Sequence, residues 1–230
     1  MFGFRYYDSS MLLLLPTLLL SLYAQYRVSV AFAAGKRIPN ARGLTGQDVA
    51  RSLLDAQGLY QVRVEGVSSG DHFDPRANVV RLTPEVLQGR DVTALAVAAH
   101  EVGHAVQHQQ NYAPLSFRTA FFPIARIGSS AAWPLLLLGF MFEWSALVTL
   151  GILLFTAAVL FQVITLPIEF DASRRAVEML TGGGYIVVSE EPPIRNVLNA
   201  AALTYIAATL AALAQLLRLV LISNSRRKRR

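Results

Sequence analysis

Four long apolar runs constrain this chain more than any other feature. They lie at residues 11–26, extendable to 32 across Arg27, and at 123–142, 144–167 and 197–222. A helix needs about 20 mostly apolar residues to cross the hydrocarbon core of a bilayer. Lipid offers no partner to a backbone N–H or C=O, so segments of this length predict membrane helices. Composition agrees: charged residues make up 16% of the chain, against about one quarter in an ordinary globular domain.

The first run is followed by Gly35, Lys36 and Arg37 rather than by a small-residue cleavage site, which predicts a retained anchor. Glu143 separates the second and third runs, so these two read as a transmembrane hairpin with a very short turn, with Trp133 and Trp144 suited to membrane interfaces. The expected division is a first span at 9–32, a polar segment at 33–122, spans at 123–142 and 144–167, a second polar segment at 168–196, a fourth span at 197–222 and a basic tail at 223–230. Two spans lie between the polar segments, so both must face the same side of the membrane.

The formal net charge is +6, and five basic residues occupy positions 226–230, directly after an apolar run. That placement reads as a topology signal or a contact with anionic lipid, not as a nucleic-acid surface. The tail argues for a cytoplasmic C-terminus. Arg27, Lys36, Arg37 and Arg42 argue for a cytoplasmic polar segment, so the two sets oppose each other. The chain has no cysteine, which excludes disulfides, thiol catalysis and Cys-ligated metal.

Local signals place the chemistry. Thr45 can cap a helix that runs to Gln57, with Gly58 as its stop. Residues 60–67 alternate like a strand, and 78–82 form a second short strand after an Asp74-Pro75 turn, together a short hairpin. Pro84 suits the first turn of a short helix. Asp91 can cap a long helix over 92–109.

That last helix carries His100-Glu101-Val102-Gly103-His104, which matches the H-E-x-x-H template. Positions i and i+4 share one helical face, so both imidazoles can reach one zinc ion. Glu101, rotated by about 100°, is placed to act as general base toward a water there. Catalytic zinc keeps three protein ligands and one open position. The third ligand is not expected in the same helix: Gln107 stands where the metzincin extension needs Gly, and His108 lies eight residues, about two turns, beyond His100. A later glutamate is the alternative, and Glu169 is the best placed, with Asp171 and Glu178 as weaker competitors. His72, expected in the loop between the strands, and Arg174 are candidates for substrate or oxyanion contact. The strand at 78–82, if at an edge, could bind an extended peptide by strand addition.

Residues 20–25, 42–46, 71–76, 98–108, 166–176 and 198–205 resemble, in order, segments of the YugP-type membrane zinc metallopeptidases of bacteria. The resemblance implies a peptide substrate, which the motif alone does not. The segment around Glu169 is also similar to the Glu-x-x-x-Asp element of HtpX-type membrane peptidases, in which the glutamate binds zinc. Here Ser173 stands at the position of that aspartate, so Ser173 or Asp171 would have to support the ligand histidines.

The expected protein is therefore mainly α and membrane-embedded. It has about four transmembrane helices and a small α+β zinc-binding domain built on the H-E-x-x-H helix and a short hairpin. One Zn2+ per chain would be held by His100, His104 and Glu169, with Glu101 as base. The expected partners are the lipid bilayer, in a bacterial cell membrane, and a protein or peptide, not nucleic acid. Two rivals remain at this point: a zinc hydrolase of a non-peptide amide or ester, and a membrane scaffold with a structural metal site. A transporter is disfavoured because the spans contain almost no ionisable residues.

Overall fold

A computed structural model describes residues 9–227; positions 228–230, the end of the expected basic tail, lie outside the described residues. Ten named elements organise it. They are α1 (Leu15–Lys36), preceded by a 3-10 turn at Ser9–Leu14, α2 (Gly46–Ala56), β1 (Arg63–Gly66), β2 (His72–Asp74), β3 (Val79–Leu82), α3 (Pro84–Leu87), α4 (Val92–Gln109), α5 (Ala113–Met141), α6 (Ser145–Gly182) and α7 (Glu191–Arg227). The protein is a mainly α membrane protein with a small α+β region. Four of its helices are long and apolar enough to cross a bilayer.

The chain divides into two compact units. Among the described residues, one comprises 9–23, 117–165 and 204–227, and the other 24–116 and 166–203. Most of both polar segments falls in the second unit.

In the first unit the long helices expose leucine, isoleucine, valine and phenylalanine. Leu137, Leu153, Ile127 and Phe142 are each more than half exposed. Water would not tolerate such a continuous surface, but lipid covers it. Small residues let these helices approach closely: a Cβ on Gly128 would meet the Leu154 carbonyl, and one on Gly139 would meet the Val148 backbone. The α5–α6 turn is three residues long. Glu143 adopts a left-handed φ of 52°, and Trp144 N–H donates to the Gly139 carbonyl at 2.9 Å, which closes the helix end.

The second unit is a small sheet and several helices packed around α4. Thr45 and Asp48 form a capping box at the start of α2: each side chain accepts from the other's backbone N–H. Gly58 takes a φ of +71° and ends the helix, with Leu59 N–H donating to Leu54 C=O. Asp91 caps α4 by accepting from Ala94 N–H. Leu53 and Leu54 of α2, Leu82 of β3, Leu95 of α4, Leu180 of α6 and Ile194 of α7 are almost wholly buried in one core. Each contributes about 2 kcal/mol from its apolar surface.

The sheet departs from the expected hairpin. Its strand order is β1-β3-β2. β1 pairs in parallel with β3, Arg63 opposite Val79, and only β2 and β3 form an antiparallel pair, His72 opposite Arg81. Residues 78–82 therefore supply the central strand, not a free edge, and His72 opens a strand instead of lying in a loop. The reason is register: Val79, Val80 and Leu82 are buried, and a central strand buries apolar residues on both faces. The third apolar run and the segment after it also form one element. α6 continues through Pro167, which removes one backbone donor without ending the helix.

Candidate metal centre

The metal-ligand candidates come from two helices. His100 and His104 project from one face of α4 with ring centroids 4.7 Å apart and planes at 85°. Glu169, from α6, is 5% exposed, and its Oε2 lies 3.3 Å from His100 Nε2 and 3.7 Å from His104 Nε2. The candidate ligand atoms of the three residues all lie within 4.8 Å of one another.

The helices can come this close because of Gly103. A Cβ there would stand 2.7 Å from the Ala172 carbonyl, inside any real contact distance. Glycine between the two histidines thus lets the backbone of α6 lie directly against α4.

Both imidazoles are oriented from behind. The hydroxyl of Ser173 lies 3.2 Å from His100 Nδ1, and the amide oxygen of Gln107 lies 3.0 Å from His104 Nδ1. Both Nε2 atoms therefore face Glu169. Burial alone pushes the His104 imidazole toward neutrality. The Glu169 carboxylate 3.7 Å away and the charge of Glu101 outweigh it, and the His104 pKa lies above the ordinary histidine value. Two imidazole nitrogens and one carboxylate oxygen, converging and partly buried, fit a divalent metal ion that takes mixed N and O donors.

Glu101 is 8% exposed, and its Oε2 accepts a hydrogen bond from the Phe73 backbone N–H of β2 at 3.0 Å. The strand thus holds the carboxylate through its main chain, a contact no side-chain pattern announces. The other candidates are engaged elsewhere. His72 is exposed, with Nδ1 2.8 Å from the Gly70 carbonyl. Arg174 pairs with Asp171 and Glu178. His108 is exposed at the end of α4 and touches the Phe73 ring, 5.7 Å between centroids. Asp171 sits behind the site, bonded to Gln107 and Arg175.

Sequence reasoning missed Gln107 and the Phe73 N–H. Gln107 had one available signal: it lies three residues after His104, on the same helical face. It is fully buried, which its polar side chain did not foretell.

Comparison with known proteins gives two matches. A sequence profile described as "Putative neutral zinc metallopeptidase" matches residues 10–224. A Bacillus subtilis (strain 168) protein named "Putative membrane protease YugP" is 48% identical over 206 residues, covering 88% of this chain and 91% of that protein. No solved structure matches.

Proposed function

Because this chain belongs to the family described as "Putative neutral zinc metallopeptidase", we propose that it is a membrane-embedded zinc peptidase whose site is the His100–His104–Glu169 cluster. The observation that carries the reading is the convergence of both Nε2 atoms on one buried Glu169 oxygen, beside a buried Glu101 on the same helix as the histidines.

In this reading His100, His104 and Glu169 hold one zinc ion per chain. A bound zinc ion supplies a Lewis acid that polarises the scissile carbonyl and acidifies the attacking water. Glu101 takes the proton from that water and passes it to the leaving amine. The Phe73 N–H holds the Glu101 carboxylate in place. Ser173 and Gln107 keep the two imidazoles turned toward the metal. β2, the edge strand beside Glu101, offers the line along which an extended peptide would add to the sheet. His72 and Arg174 are assigned no step, since each is bonded to neighbours of its own.

The test uses detergent-purified full-length protein. Wild type should carry about one zinc per chain and His104→Ala should lose it. Glu101→Gln should keep the zinc and lose hydrolysis of a fluorogenic peptide by at least about 100-fold. Wild type without any divalent ion would overturn the reading. Turnover of small esters or amides, with every peptide left intact, would move the substrate class away from peptides.

A further inference from the structure

We infer that Gln107 is a positioning residue that sets the tautomer of His104, and that Asp171 holds Gln107 in the required orientation. The inference rests on reading His100, His104 and Glu169 as the metal ligands.

The argument is proton accounting around one buried amide. Gln107 is wholly buried, so each of its polar atoms needs a partner. Its Nε2 donates to the Ile168 carbonyl at 2.8 Å and to Asp171 Oδ2 at 2.9 Å. A carbonyl and an ionised carboxylate only accept, so both amide hydrogens are committed. Turning the amide over would aim its oxygen at two other oxygens. The amide oxygen therefore faces His104 Nδ1 at 3.0 Å. It has no proton to give, so Nδ1 must be the donor. In a neutral ring the lone pair then belongs to Nε2, the atom that faces Glu169.

The other histidine lacks this constraint. His100 Nδ1 meets Ser173 Oγ at 3.2 Å, and a hydroxyl can donate as readily as accept. Tautomer selection in this site is thus assigned to Gln107. The same amide also ties α4 to α6 on both sides of Glu169, because Ile168 and Asp171 flank that residue in the chain. Asp171 also accepts hydrogen bonds from the guanidinium groups of Arg175 and Arg174, so it faces Gln107 as a carboxylate paired with two arginines. Asp171 is linked to His104 Nδ1 through the Gln107 amide.

Two readouts test this on the purified full chain. The first is the long-range 1H–15N spectrum of histidine-labelled, zinc-free protein at a pH where the rings are neutral. His104, identified by its loss in His104→Ala, should carry its proton on Nδ1. A proton on Nε2 would overturn the inference, whatever the protein does with zinc. The second is Zn2+ affinity measured by competition with a chromophoric chelator. Gln107→Met should keep the helical signal, show mixed His104 tautomers and weaken Zn2+ by about 10- to 100-fold. Folded Gln107→Met with wild-type affinity and an unchanged tautomer would overturn it. If Gln107→Met does not fold, Asp171→Asn decides on the same two readouts, because it removes one of the two acceptors that fix the Gln107 amide and leaves only the Ile168 carbonyl. Should His104→Ala retain wild-type zinc, the ligand assignment is what fails, and the spectrum of wild type still judges the role of Gln107.

Discussion

Gly103 and Ala172 set the distance between the two helices of the candidate site: a Cβ on Gly103 would stand 2.7 Å from the Ala172 carbonyl and 3.2 Å from its Cα. The obstacle is backbone, so no rotamer change relieves it. Alanine at 103 would help an isolated helix by roughly 1 kcal/mol. In this protein it must separate α4 from α6, and overpacking of that kind costs about 1–3 kcal/mol. Gly103→Ala should therefore lower the thermal midpoint and also weaken Zn2+ binding, since Glu169 moves away with α6. Thermal unfolding and chelator competition on the same preparation check both effects.

Glu169 contributes the one oxygen on which both imidazoles converge. Glu169→Gln preserves shape and removes the charge. Zn2+ affinity should fall by more than the about 10- to 100-fold typical of losing a supporting partner, because a ligand is being altered. The helical signal should stay close to wild type. Metal content after dialysis against a weak chelator provides the measurement.

Metal binding should release a proton. In the metal-free protein the His104 pKa is raised above the ordinary histidine value. Some His104 is therefore still protonated at a pH where free histidine has lost its proton. A ligand must be unprotonated, so Zn2+ displaces that proton. Apparent affinity should fall as pH drops through the raised pKa, approaching about tenfold per pH unit below it. Calorimetric titration at pH 7 in two buffers of different ionisation enthalpy should give different apparent heats. Identical heats would remove the raised His104 pKa from the account.

The capping box of α2 should matter for stability and not for metal. Thr45 and Asp48 bond reciprocally at the helix start. Thr45→Ala should cost about 1 kcal/mol. The Asp48 pKa is depressed by the hydrogen bonds from Thr45. A depressed carboxylate adds stability above its unfolded pKa and loses it as pH falls through the folded one. The gap between wild type and Thr45→Ala should accordingly narrow in acid, below the ordinary aspartate range, while zinc content stays the same. Chemical denaturation at neutral and acid pH compares the two.

Much of the protein is readable along the chain because the relevant physics is local. Long apolar runs, most of them near or above the length that crosses a bilayer core, mark the four long helices. The i, i+4 spacing puts His100 and His104 on one face whatever else the protein does. Asp91, Thr45 and Gly58 announce helix ends through capping chemistry that needs only neighbouring residues. Glu169 is the best-placed third ligand along the sequence, the resemblance to known membrane peptidases supports it, and the structure brings it close to the histidines.

Tertiary structure decided the rest, wherever the energy of a choice depends on a distant partner. The parallel pairing of β1 with β3 cannot be read from the alternation within either strand, because period two is the same for both pairing modes. The burial of Gln107 and its bonds to Ile168 and Asp171 join residues more than 60 positions apart. The Phe73 N–H on Glu101 is a main-chain contact, which every residue but proline could make and which only the placement of β2 against α4 selects. Sequence by itself determined the membrane helices and the two-histidine face. Long-range packing, made possible by the missing side chain at Gly103, decided which carboxylate meets them and which amide stands behind.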